Sequence, residues 1–173
     1  TLSPDVTAPD GDDSLVGTDG EDTSAGLGGG DTIDGGDGND LVDGGDGNDA
    51  VTGGAGDDTV LGGAGEDTLG GGTGNDSMGA GSATNDTLFG EEGDDIMYAT
   101  GGTGGSDLMS GGAGNDIMYA TSGGQDVLYG SDGNDILYAK SATATSNTAS
   151  DDSLYGGAGN DTFVIAATAA GSL

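Results

Sequence analysis

The chain has no cysteine, no histidine, no tryptophan and only two prolines, and Lys140 is its single basic residue among 173. Without cysteine there is no disulfide and no thiolate metal site. Without histidine the commonest general base and transition-metal ligand is missing. One basic residue set against 32 acidic ones gives a net charge of -31. Such a chain has no means of binding nucleic acid through phosphate contacts, and anionic membrane surfaces repel it. No apolar run approaches the roughly 18 residues of a membrane-spanning helix, so no membrane insertion is expected. The sequence opens on Thr1 with no secretory signal peptide, which points to a processed chain, a fragment or a protein exported by another route. Hydrophobic residues make up 31% and glycines number 42. That composition ordinarily describes a disordered chain, because there is little apolar surface to offset backbone entropy. The partners this charge calls for are cations.

What the chain does contain is a period. A unit of nine residues, G-G-x-G-x-D-x-U-x with U apolar, starts at residues 8, 17, 26, 35, 44, 53, 62 and 71 without a break in register. Its clearest copies are GGDGNDLVD (35–43), GGDGNDAVT (44–52) and GGAGDDTVL (53–61). Beyond residue 80 the units alternate in length: those at 80, 99, 120 and 139 are longer, and those at 90, 111, 130 and 156 stay at nine. The sixth-position carboxylates are Asp13, Asp22, Asp31, Asp40, Asp49, Asp58, Asp67, Asp76, Asp86, Asp95, Asp107, Asp116, Asp126, Asp135, Asp152 and Asp161.

Each unit divides into a six-residue turn part, rich in glycine and Asp or Asn, and three strand-like residues whose side chains alternate faces. Position eight is apolar in every unit but one, from Leu15 and Ile33 to Leu154 and Phe163, and only Ser24 interrupts it. One apolar residue per unit builds no globular core. Stacked in register, the same residues form a thin continuous core along a solenoid.

Stacking also brings carboxylates to the strand spacing of about 4.7–4.9 Å, where like charges repel by roughly 1 kcal/mol in water and about 4 at an effective dielectric of 20. A divalent cation between neighbouring turns reverses that sign. The turns offer oxygen alone: the carboxylates, plus turn carbonyls such as those of Gly35, Gly44, Gly53, Gly62, Gly71, Gly111 and Gly156. This donor set suits calcium, which takes 6–8 oxygens in flexible geometry, and disfavours zinc, copper and the more exacting magnesium.

In tandem, these units resemble the nonapeptide of the RTX (repeats-in-toxin) proteins over about residues 8–164. The resemblance implies an all-β fold, a parallel β-roll with two nonapeptides per coil and calcium between turns one coil apart. The ligands then separate into two columns by parity: Asp13, Asp31, Asp49, Asp67, Asp86, Asp107, Asp126 and Asp152 along one edge, and Asp22, Asp40, Asp58, Asp76, Asp95, Asp116, Asp135 and Asp161 along the other. If every gap fills, about fourteen calcium ions bind. The resemblance further implies type I secretion, with folding outside the cell.

Three segments are expected: an N-terminal extension (1–7), the roll (8–164, regular to 79, with one-sided insertions in 80–155) and a tail (165–173). The insertions all belong to the first column and degrade its turns, so calcium is expected more securely along the second. They suit either drift on a solvent edge or a binding face. Outward positions also turn apolar, and Tyr98, Tyr119 and Tyr138 are expected to stack as a ladder. With Tyr129 and Tyr155 they form a candidate contact surface, the alternative being cross-strand support of a thin sheet. The repeats approach both termini, and no catalytic, adhesive or capping domain is recognised. This suggests either an excised module or chains stacking end to end. The function expected is a non-enzymatic, secreted or cell-surface calcium-binding structural protein, associating with copies of itself. The alternative is a calcium-dependent folding and secretion module of a larger exoprotein. An ice-binding or adhesion face ranks behind both, because Thr32, Thr59 and Thr68 make no regular rank.

Overall fold

A computed structural model describes residues 6–82, 85–99, 105–121, 124–140 and 152–166. Every regular element among them is a strand. In chain order these are β1 (Val6–Thr7), β2 (Ser14–Val16), β3 (Thr23–Ala25), β4 (Thr32–Asp37), β5 (Leu41–Asp46), β6 (Ala50–Ala55), β7 (Thr59–Ala64), β8 (Thr68–Thr73) and β9 (Ser77–Ser82). They continue as β10 (Thr87–Glu92), β11 (Ile96–Ala99), β12 (Leu108–Ala113), β13 (Ile117–Ala120), β14 (Val127–Asp132), β15 (Ile136–Lys140), β16 (Ser153–Ala158) and β17 (Thr162–Ala166). Odd strands form one parallel sheet of nine and even strands a second of eight, each strand pairing with the next of its own parity. This is the expected parallel solenoid, two repeats per coil.

Register follows the repeat. Val42 pairs with Val60 and Met97 with Met118, so position eight always meets position eight. Insertions do not shift the pairing: Leu137 still lies opposite Phe163 across a longer coil. From Ile33 to Leu137 the position-eight side chains are 0–1% exposed and form one core, with the two sheets facing each other across it. Ser24 is equally buried. The column opens at its ends, where Leu15 and Leu154 are partly buried and Phe163 is 48% exposed.

The division of the repeat into six turn residues and three strand residues is corrected. Most strands span six residues, running from position seven through position three of the next unit. In β4 the ladder passes from Ile33↔Val51 and Asp34↔Thr52 to Gly36↔Gly54 and Asp37↔Ala55. The turn proper shrinks to positions four to six. Glycine at position two enters the ladder in a left-handed conformation, with φ of 106° at Gly36, where the carbonyl of Thr18 leaves no room for a Cβ. Composition suggested a bend there. The neighbouring coil supplies backbone partners that a single repeat cannot reveal.

The one-sided insertions follow β9, β11, β13 and β15, and residues 83–84, 100–104, 122–123 and 141–151 within them lie outside the described residues. So do most of the N-terminal extension (1–5) and residues 167–173 of the tail.

Candidate metal centre

Each sixth-position aspartate immediately precedes a strand, at the corner where the chain passes from one sheet to the other. Its side chain turns inward. Asp22, Asp31, Asp40, Asp49, Asp58, Asp67, Asp76, Asp86, Asp95, Asp107, Asp116, Asp126 and Asp135 are all buried, at 0–4% exposure. The two parity columns expected from the sequence are the two columns found.

Stacking is held by a rung that the repeat pattern did not reveal. The backbone N–H of each aspartate donates to Oδ1 of the aspartate one coil further on. Along the second column Asp22 donates to Asp40 at 2.7 Å, Asp58 to Asp76 at 2.8 Å and Asp135 to Asp161 at 3.1 Å. Along the first column Asp13 donates to Asp31 at 2.8 Å, Asp86 to Asp107 at 2.9 Å and Asp126 to Asp152 at 3.2 Å. All sixteen aspartates take part, insertions notwithstanding. The carboxylates therefore do more than repel one another, since from Asp31 onward Oδ1 of each accepts a backbone N–H of the preceding coil.

The other oxygen is left over. Oδ2 of Asp31, Asp40, Asp49, Asp58, Asp67, Asp76, Asp95, Asp116 and Asp135 is buried without a hydrogen-bond donor. A buried, unpartnered carboxylate oxygen is strongly unfavourable. At the start of the second column Asp22 differs, its Oδ2 accepting from the Thr18 hydroxyl at 2.9 Å.

The first-position glycine makes the space in which Oδ2 sits. A Cβ on Gly35 would lie 2.7 Å from Asp40 Oδ2 and 2.4 Å from the carbonyl oxygen of Gly53 on the next coil. Around Gly26 the same role falls to Asp31 and the Gly44 carbonyl, around Gly44 to Asp49 and the Gly62 carbonyl, and around Gly53 to Asp58 and the Gly71 carbonyl. The Gly35 carbonyl closes on Gly17, the Gly111 carbonyl on Gly90 beside Asp95, and the Gly156 carbonyl on Gly130 beside Asp135. The glycine carbonyls named from sequence thus each face a sixth-position carboxylate.

Burial penalises the ionised form at eight of these aspartates. It is the largest cause raising the carboxyls of Asp40, Asp49, Asp67, Asp95 and Asp135 above 3.8. Asp58 and Asp76 are pushed to about 6 and Asp116 to about 7, the N–H rung lowering each in part and neighbouring carboxylates raising it again. Among the described residues no group of three or more acidic side chains converges on one point.

A family model for the RTX calcium-binding nonapeptide repeat matches residues 16–51, 43–78, 80–104, 102–124, 120–141 and 148–164. The chain belongs to the RTX calcium-binding nonapeptide repeat family. No curated protein matches it. RTX repeats bind calcium, and the donor set of the roll is all oxygen.

A second ladder in the RTX roll was not anticipated, because position five reads as variable. Asn39, Asp57, Asn75, Asp94, Asn115 and Asn134 lie along the second edge and accept backbone N–H groups in the opposite sense, the last of them from Asn160. Asn75 N–H donates to Asp57 Oδ1 at 2.8 Å and Asn134 N–H to Asn115 Oδ1 at 3.0 Å. The Asn75 and Asn134 side-chain amides donate to the same acceptors. Positions five and six thus clamp each turn to its neighbours in both directions. The signal was present in the recurrence of Asn and Asp before the sixth aspartate.

The aromatic ladder forms as expected. Tyr98 stacks on Tyr119 at 5.0 Å between ring centroids, and Tyr119 on Tyr138 at 4.6 Å. Tyr129 and Tyr155 stack at 4.8 Å on the other sheet.

Proposed function

We propose that this RTX roll is a non-enzymatic, calcium-rigidified rod of a secreted or cell-surface structural protein. The observation that carries the reading is the file of buried, donorless Oδ2 atoms; those of Asp31, Asp40, Asp49, Asp58, Asp67, Asp76, Asp95 and Asp135 each lie beside a first-position glycine that a carbonyl of the next coil also approaches. The sixth-position aspartates Asp13 to Asp161 are the proposed ligands, completed by carbonyls such as those of Gly35, Gly44, Gly53, Gly62, Gly71, Gly111 and Gly156. Calcium bound there supplies the positive charge that the chain lacks. The protein's own part is to hold the carboxylates at coil spacing through the N–H rungs and to keep water out through the glycine packing.

Repetition argues against catalysis, because sixteen like carboxylates suit repeated ligation better than one active site. The fibre reading is supported by exposed apolar groups, Phe163 at 48% and Ile165 at 65% on β17, and by the stacked tyrosines of the outer faces. These groups suit contact with further copies of the chain, end to end or laterally. Electron microscopy in millimolar calcium tests this. Filaments are the expected result, whereas dispersed short particles favour the folding and secretion module of a larger RTX exoprotein.

A further inference from the structure

The five tyrosines are the only side chains on the surface of this chain that give up an electron readily. Cysteine, histidine and tryptophan are absent. The four methionines, Met78, Met97, Met109 and Met118, are 0–1% exposed in the core, which shields their sulfur from an oxidant in solution. Tyr98, Tyr129 and Tyr155 are 39%, 42% and 52% exposed. Tyr119 and Tyr138 are half-buried.

None of the five stands alone. Register pairs Tyr98 with Tyr119 and Tyr119 with Tyr138 across β11, β13 and β15, and Tyr129 with Tyr155 across β14 and β16. Parallel strands in register carry equivalent side chains off the sheet in the same direction. The rings accordingly lie face to face, 4–12° from parallel, with centroids 4.6–5.0 Å apart. Burial, and then the phenols of Tyr138 and Tyr98, raise the Tyr119 hydroxyl above its ordinary value of 10.0, as expected of hydroxyls held side by side. Like carbon therefore faces like carbon, including the carbons ortho to each hydroxyl. Tyr119 has a ring against each face, so no sugar or other flat ligand can stack on it. What the arrangement does favour is reaction between neighbouring rings.

We propose that the two tyrosine ladders are sites of oxidative coupling, at which hydrogen peroxide acting through a haem peroxidase joins Tyr119 to Tyr98 or Tyr138, and Tyr129 to Tyr155, as dityrosine. The oxidant takes one electron from each of two neighbouring phenols, and each phenol gives its hydroxyl proton to water. The two phenoxyl radicals join through one ortho carbon of each ring. The hydrogen on each of those carbons then moves to the phenol oxygen as the ring regains its aromaticity. Two phenols thus lose two electrons and two protons, which reduce one hydrogen peroxide to two waters. Rotation about the side-chain bonds closes the rings from stacking distance to bonding distance. Each bond ties two consecutive coils, as a disulfide ties distant segments in chains that have cysteine.

The test is treatment of the full chain with peroxidase and hydrogen peroxide, in calcium and at high dilution, once circular dichroism has shown its β structure. Monomer is then isolated under denaturing conditions and read by intact mass and dityrosine fluorescence. The parent monomer is expected to fluoresce and to be lighter by one pair of hydrogens for each bond. Two double variants keep three tyrosines each and every ring. Tyr98→Phe with Tyr129→Phe retains the stacked pair Tyr119 and Tyr138, and is expected to couple. Tyr119→Phe with Tyr155→Phe leaves Tyr98, Tyr129 and Tyr138 without a stacked phenol, the first and last being two strand spacings, about 9.5 Å, apart. Its monomer is expected to form no dityrosine. Equal yields from the two variants, a parent monomer without dityrosine, or coupling confined to covalent dimers overturns the proposal. Should a variant fail to fold, peptide mapping of the parent decides: the stacked pairs uphold it, and any other pairing overturns it.

Discussion

The backbone N–H of Asp95 donates to Oδ1 of Asp116 at 2.9 Å, while Oδ2 of the same Asp116 carboxylate lies buried with no donor. The two oxygens of one side chain do different work. Oδ1 fixes the spacing of consecutive coils, and Oδ2 carries charge into a place where protein alone does not neutralise it. A proton or a cation can. The chain's behaviour follows from the competition between them.

Without calcium, acid should favour the fold. Asp58 and Asp76 titrate at about 6 and Asp116 at about 7 in the folded state, against 3.8 for the ordinary carboxyl. A raised folded-state value means that the folded chain holds protons more tightly than the unfolded one. The contribution is fully present below about pH 4 and is lost as pH rises through 6 and 7. In chelator, far-ultraviolet circular dichroism should show more β structure at pH 5 than at pH 8. Under subsaturating calcium the order should reverse, because protons compete with the ion. More order at pH 8 than at pH 5 in chelator would contradict the burial of these carboxyls.

Position within the repeat should decide the effect of losing an aspartate. Asp116→Ala removes a buried ladder member, whereas Asp12 sits exposed at position five, accepting from Gly30 N–H at 2.9 Å. A calcium titration followed by circular dichroism should show a higher midpoint and lower cooperativity for Asp116→Ala, and little change for Asp12→Ala. Equal shifts would mean that the sixth position has no privileged role.

Ser24 is the one polar residue of the core column, 1% exposed and with no partner for its hydroxyl. Its cross-strand neighbours are Val6 and Val42. Ser24→Val replaces an unsatisfied hydroxyl with methyls in a column that already holds valine. A gain of about 1–2 kcal/mol is expected in calcium, read as a higher thermal midpoint. A lower midpoint would show that the first coils need the hydroxyl.

The tyrosine ladders should contribute according to their contacts. Tyr119 stacks on two rings and Tyr155 on one. Each stack is worth about 0.5–1.5 kcal/mol, so Tyr119→Ala should destabilise the roll by about 1–3 kcal/mol and Tyr155→Ala by about half as much, judged by thermal melts in calcium. If neither variant melts earlier, the ladder is not a stabilising device, and contact with a partner becomes its better explanation.

Much of this molecule was legible in its sequence because a solenoid translates period directly into space. The column from Ile33 to Leu137, the parity of the aspartates and the stacking of Tyr98 on Tyr119 all follow from register. What stayed hidden depended on the next coil. Gly36 looks like a turn residue until Gly54 is found beside it as a ladder partner. Asn75 fills a variable position until its bonds to Asp57 appear. The inward turn of Asp40 against Gly35 is likewise a matter of side-chain direction, on which the spacing of residues says nothing.

The central claim is that divalent cations neutralise the buried carboxylates and so hold the roll together. A calcium titration of chelator-treated chain at pH 8, followed by far-ultraviolet circular dichroism, tests it most directly. The account predicts a largely disordered spectrum without calcium and a cooperative rise of the β signal, complete by about millimolar concentrations. A β spectrum of full strength in chelator, unmoved by added calcium, would contradict it.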